Sequence, residues 1–192
     1  EEFRRFGHEL IEWAAEYLDR VGEFPVLPPV NPGELKRNLP ASGPTEGEPM
    51  ERILEDFRNL VAPAVNHWNH PRFMAYFSVS ASGPGILGEL LSAVINANHM
   101  VWRSNPAGAE LEQVALGWLR EWIGLPEQFF GVIYDTASVS TLHAIAAARE
   151  MADPEVRQQG ARRGLVLYAS EHAHSSVEKG AICLGIGQDN VR

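Results

Sequence analysis

The chain has 192 residues, 45% of them hydrophobic, enough to bury a sizeable core and to form one domain, or one domain with an arm. Its 16 Lys and Arg against 25 Asp and Glu give a net charge of −9, which argues against a nucleic-acid partner, because phosphate-backbone binding needs clustered cations. A single cysteine, Cys183, excludes an intrachain disulfide and a thiolate metal cluster and suits a reducing, cytoplasmic setting. The first residues show no basic-then-apolar segment, and the most apolar stretch, 86–102, is broken by Glu89, Asn96, Asn98 and His99, so no membrane span is expected. The chain opens at Glu1 without a methionine and stops just after a glycine turn, where a new strand is due; the expectation is a piece of something longer.

In chain order, Phe3, Phe6, Leu10, Trp13, Tyr17 and Val21 recur at steps of three or four and predict an amphipathic helix over 3–21. A connector over 22–49 follows, holding seven of the 13 prolines. A helix tethered so loosely must bury its stripe against its own chain or a second subunit. Met50, Ile53, Leu54, Phe57, Leu60 and Val61 share the next helical face, with Thr45 and Glu48 as an entry cap and Ala62-Pro63 as the stop. The segment 67–77, HWNHPRFMAYF, is the most aromatic. His67 and His70 have a spacing that could serve a metal on a helix. Pro71 disfavours helical geometry at His70, however, and no acid or cysteine lies nearby, so core or pocket wall is the better reading and no metal is expected.

Gly83, Gly85 and Gly88 match a dinucleotide-type GxGxxG pattern, but no second strand ending in an acid follows about twenty residues on. The glycines read instead as a tight turn and close packing for a helix from Pro84 to about Asn98. A further helix runs from Pro106 to about Ile123, with Asn105 as cap, Pro106 in its first turn, and Gly124 with Pro126 closing it. Residues 130–134 form a β-prone run feeding, through Asp135-Thr136-Ala137-Ser138, into a helix carrying Leu142, Ile145 and Arg149. Such a junction aims unpartnered N–H groups beyond the strand end; it is an anion site, or Thr136 or Ser138 merely caps its own helix. A polar connector with Arg157, Arg162 and Arg163 reads as a solvated loop. It leads to a strand over 165–169, then to Glu171-His172-Ala173-His174, where Ser175 and Glu178 form a capping box for a helix to about Leu184. The β, α, β, α order, with a third strand beginning, predicts a parallel sheet, and Thr136, Ala137, Ser138 and His174 fall at its ligand-binding edge. A phosphorylated cofactor suits hydroxyls, helix N–H groups and an imidazole there, although His174 as a plain helix-entry residue fits equally well.

The strings NHWNHPRFMAYF, NPAGAELEQVALGWL, DTASVSTLHAIAAARE and EHAHSSVEKG, in this order, resemble the N-terminal half of the pyridoxal-phosphate group II decarboxylases, with the aromatic L-amino acid decarboxylases as the nearest type. The resemblance covers nearly the whole chain. It implies an α/β fold, the large domain of the aspartate-aminotransferase-like type I fold with a mostly parallel sheet, here truncated. A helical dimerisation arm over 1–82 would precede the first part of the cofactor-binding domain over 83–192. It implies decarboxylation of an L-amino acid, aromatic by analogy, by a homodimer with its active site at the interface. The alternatives are a lyase or aldehyde synthase of the same superfamily, or a non-catalytic module binding a phosphorylated ligand.

By the same resemblance, Ala137 and Ser138, with Thr136 beside them, hold the phosphate of pyridoxal 5'-phosphate, and His174 stacks on its ring as the catalytic histidine. Trp68, Tyr76, Phe77, Ser78 and Val79 line the substrate pocket, and Asn98 and Met100 reach in from the neighbouring subunit. Two departures stand out. Asp135-Thr136 replaces a pair of small residues and brings a negative charge beside the phosphate, and Val79 replaces a threonine frequent in the aromatic enzymes. The chain's two lysines, Lys36 and Lys179, do not match the family's cofactor-anchoring lysine. That lysine and the carboxylate partner of the pyridine nitrogen are expected in the remaining C-terminal part of the same enzyme, and the chain alone is expected to be inactive.

Overall fold

The aromatic stripe near the start of the chain finds its partners within the first of two compact units, Glu1–Asn96. The computed structural model describes residues 1–77, 79, 81–161 and 164–192, so Ser78, Ser80, Arg162 and Arg163 lie outside the described residues. Helix α1, Glu2–Arg20, turns Phe6 into the core and, just past its end, Val21. Trp13 stacks on Tyr17 at 5.3 Å and meets the edge of Phe57 at 5.0 Å. Arg58 donates to Glu9 at 2.7 Å, and Arg5 pairs with Glu51. These exposed pairs contribute at most about 1 kcal/mol each, so the aromatic contacts carry the docking. Phe3 and Leu10 of the same stripe, and Ile11 beside it, remain exposed.

Helix α2, Glu34–Asn38, is a short turn in the proline-rich connector, entered through Gly33 at φ 81 and held by Asn31 donating to Glu34 at 2.9 Å. Helix α3, Met50–Asp56, passes into a π turn, Phe57–Val61, and a 3-10 turn, Ala62–Ala64, around Pro63. The expected Thr45 cap is not made; Pro49 occupies the cap position without a side-chain bond, and Glu48 pairs with Arg52 at 3.5 Å instead. Helix α4, Gly83–Ile95, is capped by Ser82, whose hydroxyl accepts from Gly85 N–H at 3.2 Å, and stops at Asn96 in the left-handed region. A Cβ at Gly83 or Gly88 would meet nothing within 4 Å, so close helix packing does not explain those glycines. Leu90, Leu91, Val94 and Ile95 of α4 are exposed.

The second unit, Ala97–Arg192, begins with helix α5, Pro106–Trp122, capped by Asn105 accepting from Gly108 N–H at 3.0 Å. Gly124 at φ 74 closes it, a conformation that favours a residue without Cβ. The expected strand over 130–134 is not paired with another strand among the described residues; Ile133 N–H donates to the Glu112 carboxylate at 2.9 Å instead. Of the expected parallel sheet, one parallel bridge is present among the described residues, Leu167 with Val191, supported by Leu167 N–H to Asn190 O at 2.9 Å and Arg192 N–H to Leu167 O at 2.8 Å. The strand expected to begin at the chain's last residues thus does pair, and in the parallel sense.

Helix α6, Ala137–Ala152, and helix α8, Ser176–Cys183, form the core of this unit, with the short α7, Val156–Gln159, between them in sequence. Ile145, Ala181 and Ile186 are buried, with Leu165, Leu167, Leu184 and Val191 against them. A Cβ built on Gly180 would stand 2.9 Å from Ile145 Cδ1 and 3.8 Å from Leu142 Cα, while Arg149 Nη1 donates to Leu184 O at 2.6 Å. Contacts therefore advance in the same direction along both helices, from Leu142 with Gly180 to Arg149 with Leu184. The helices run parallel and their N-termini lie at one end. Substituting Gly180→Val should overpack this crossing and cost about 1–3 kcal/mol, read as a lower urea midpoint for unfolding.

Candidate functional site

At the N-terminus of α6, Thr136 has extended backbone angles and its hydroxyl accepts from Val139 N–H at 3.3 Å. The first intrahelical bond is Ser140 N–H to Thr136 O at 3.0 Å. The N–H groups of Ala137 and Ser138 and the Ser138 hydroxyl consequently make no hydrogen bond among the described residues. The cap and the anion site are both present, divided between residues: Thr136 spends its hydroxyl on the cap, and Ala137 and Ser138 keep their donors free, with the positive end of a 16-residue helix behind them. Asp135 is exposed next to them. Behind the turn the Tyr134 and His143 rings stack at 4.4 Å, and His143 Nδ1–H donates to Val139 O at 2.9 Å. This stack across the turn joins residues nine apart and was not anticipated from the sequence.

His174 stands just ahead of α8 and is exposed. Its Nδ1 accepts from Ser176 N–H at 3.2 Å and lies 3.0 Å from the Ser176 hydroxyl. Nδ1 is therefore the acceptor, Nε2 carries the ring hydrogen, and the imidazole is fixed in direction. The capping box expected from Ser175 and Glu178 is not made: Ser175 already has helical backbone angles, φ −56 and ψ −14, and Val177 N–H donates to the His174 carbonyl at 3.0 Å. Since α6 and α8 run parallel, His174 and the Ala137 and Ser138 donors lie at the same end of the helix pair. An anion at these donors and a flat ring against His174 fit this end chemically.

In the first unit, Trp68 stacks on Phe73 at 4.8 Å and on Tyr76 at 5.6 Å, the latter pair only 9° from coplanar. Asn69 accepts from Ala81 N–H at 2.9 Å and ties the ends of the segment together. Tyr76 has φ 55, a left-handed conformation costing about 1 kcal/mol, and its ring is exposed. Phe77, 93% exposed, and Val79, 82% exposed, stand beside it in the chain without a ring contact. Ser78 lies outside the described residues. Asn98 accepts from Met100 N–H at 2.6 Å, and Ser104 donates to Asn98 O at 2.9 Å, so Asn98 and Met100 share one turn of the second unit.

His67 and His70 are buried, and among the described residues no group of three or more His, Cys, Asp and Glu side chains comes together. Burial, and secondarily the neighbouring His70, push the His67 imidazole below its usual value; burial pushes the Tyr17 hydroxyl up. A groove of about 450 Å³ between α5 and the 129–132 segment, lined by Glu112, Leu116, Arg120, Phe129, Phe130 and Val132, touches none of the residues above.

The family model described as the pyridoxal-dependent decarboxylase conserved domain matches residues 32–192. The aromatic-L-amino-acid decarboxylase of Bos taurus is 40% identical over 200 residues, covering 96% of this chain and 41% of that protein. The phenylacetaldehyde synthase of Petunia hybrida is 39% identical over 198 residues, covering all of this chain and 39% of the relative. Among solved structures, the tryptophan decarboxylase of Catharanthus roseus in complex with L-tryptophan superposes with a TM-score of 0.90 at 35% identity, over 100% of this chain and 42% of its own. The chain thus spans about two-fifths of the length of these relatives, and its two units have the fold of the corresponding part of a type I pyridoxal-phosphate enzyme. The sparse strand pairing follows from the same fact, since a sheet needs neighbouring strands on both sides of each interior strand. Replacing Thr136 with Ala should remove the α6 cap and cost about 1 kcal/mol, read as a lower thermal midpoint.

Proposed function

This chain belongs to the pyridoxal-dependent decarboxylase family, and we propose that the enzyme it contributes to decarboxylates an aromatic L-amino acid to the amine and CO2 with pyridoxal 5'-phosphate as cofactor. The observation that carries the reading is the coincidence, at one end of the parallel α6 and α8, of unpartnered donors at Ala137 and Ser138 with a fixed imidazole at His174.

Each residue has a role. The Ala137 and Ser138 N–H groups and the Ser138 hydroxyl bind the cofactor phosphate, assisted by the helix dipole. Thr136 holds the turn rigid through Val139. His174, locked by Ser176, lays its ring on the pyridine ring and orients it. Trp68 and Tyr76, already coplanar, with Phe77 and Val79, take the substrate's aromatic side chain, and Asn98 and Met100 are contributed by a neighbouring subunit. Bound pyridoxal phosphate supplies an electron sink for the pair left as CO2 departs. Asp135 adds a negative charge close to the phosphate and weakens its binding unless the side chain turns outward. A homodimer with the active site at its interface is supported by the exposed apolar residues of α4. No described helix is long and apolar enough to cross a membrane, and the exposed, unpaired Cys183 supports a cytoplasmic setting.

The aldehyde synthase among the relatives favours a second outcome from the same site, so the assay must read both products. Supplying the purified enzyme with pyridoxal phosphate and tryptophan, tyrosine or phenylalanine should yield amine and CO2. In aerated buffer, aldehyde with CO2, ammonia and hydrogen peroxide, O2 being the oxidant, in place of amine would establish the second reading, and no product from any of the three would refute both. In that assay His174→Ala should lower kcat about a hundredfold through lost orientation. Ser138→Ala should weaken cofactor binding about tenfold, measured by titrating the apoenzyme, because one charge-assisted hydrogen bond is lost.

A further inference from the structure

The segment that carries the aromatic surface is anchored by two histidines for which the proposed reaction has no use. His67 is 2% exposed and His70 3%. The backbone between them makes two successive turns, His70 N–H to His67 O and Phe73 N–H to His70 O, both at 2.9 Å. These turns send alternate side chains to opposite sides: the imidazoles and Phe73 go inward, while Trp68 remains 45% exposed. Both imidazoles are bonded to the end of the arm helix. His67 Nδ1 lies 2.9 Å from the Tyr17 hydroxyl, with the Phe24 ring at 4.8 Å and the Tyr17 ring at 5.6 Å. His70 Nδ1 accepts from Arg72 N–H at 2.9 Å, which leaves Nε2–H to donate to Gly22 O at 3.2 Å.

We propose that His67 and His70 are positioning residues: as a buried pair they clamp the 67–73 turns onto Tyr17 and Gly22 and thereby set the outward face of Trp68 and Tyr76, a clamp that opens in acid.

The charge environment makes the clamp one-sided. From α1 Tyr17 meets His67 directly, and Glu16 and Arg20 line the hollow beside Tyr17 and Phe24. From the turn after α1 comes Glu23, which is engaged with Arg20 at 2.7 Å, and from the histidines' own segment Arg72. Among the described residues no carboxylate pairs with either imidazole, so a proton added to His67 has no counter-charge. The His67 imidazole is depressed in the docked state by burial and by His70. A histidine depressed on docking stabilises the docked form fully above its released-state value of about 6.5, and that contribution is lost as pH falls below it toward the docked value. Within that window release grows by up to about tenfold per pH unit.

Hydrogen exchange by mass spectrometry on the full-length holoenzyme tests this, comparing pH 7.5 with pH 5.5 after correction for intrinsic rates. Peptides spanning 13–24 and 67–76 should exchange about tenfold faster at the lower pH, and KM for an aromatic amino acid should rise in the same range while kcat changes less. His67→Gln should abolish the step, and His8→Gln, at an exposed position of α1, should retain it. Should His67→Gln fail to fold, Tyr17→Phe keeps the ring and removes the hydroxyl, and should speed exchange of both peptides about fivefold at pH 7.5. No step in the wild-type protein, the same step in His67→Gln, or unchanged exchange in Tyr17→Phe overturns the proposal. The inference rests on the substrate role of Trp68 and Tyr76 only for its kinetic consequence. If no amino acid is turned over at pH 7.5 the substrate reading fails, and the exchange step still decides the clamp.

Discussion

The placing of the N-terminal ends of α6 and α8 side by side depends on how closely the two helices approach. Gly180 leaves room for Ile145 and for the Leu142 backbone, and the carbonyl at the end of α8 is taken up by Arg149. A positive guanidinium at a helix C-terminus is favourable against the helix dipole. Here it also locks the register between the helices, so two chain segments far apart in sequence deliver their N-terminal ends to one place. The arrangement has a cost, because Arg149 Nε is buried without a hydrogen-bond partner among the described residues.

The donors at that end illustrate a division of labour within four residues. Val139 N–H goes to the Thr136 hydroxyl, and the helix ladder starts at Ser140, so the Ala137 and Ser138 N–H groups are left without a hydrogen bond among the described residues. The Tyr134 and His143 stack braces the same turn from behind, through the bond from His143 to Val139. Rigid supports of this kind keep the donors aimed without the ligand, which lowers the ordering cost of binding. Asp135 works in the opposite direction, and its presence marks this chain's turn as electrostatically less favourable to phosphate than one with a small neutral residue there.

The first unit follows a different logic. Its aromatic rings form two layers with separate duties. Trp13, Tyr17, Phe57 and Phe24 bury the arm helix against its own chain, while Trp68, stacked on Phe73, and Tyr76, stacked on Trp68, are exposed. The buried imidazoles of His67 and His70 sit between these layers. Histidine suits that place because one ring can both pack and bridge backbone groups of two segments, as His70 does between Arg72 and Gly22.

Local chemistry was legible from the sequence. Helices α1, α4, α5 and α6, the Asn105 and Thr136 caps and the Gly124 stop depend on bonds between residues a few positions apart, so periodicity and capping residues suffice to find them. The family followed from motifs. Where the sequence reading missed, either a competing local bond or a distant contact was in charge. Ser175 and Glu178 spell a capping box, yet the His174 ring caps α8. Residues 130–134 spell a strand, yet a strand exists only when another lies beside it. His67 and Tyr17, 50 positions apart, have no pattern that joins them. Propensity and capping energies are set within one turn of chain and so are written in the order of residues, whereas burial and register are set by which surfaces meet, and only the folded chain decides that.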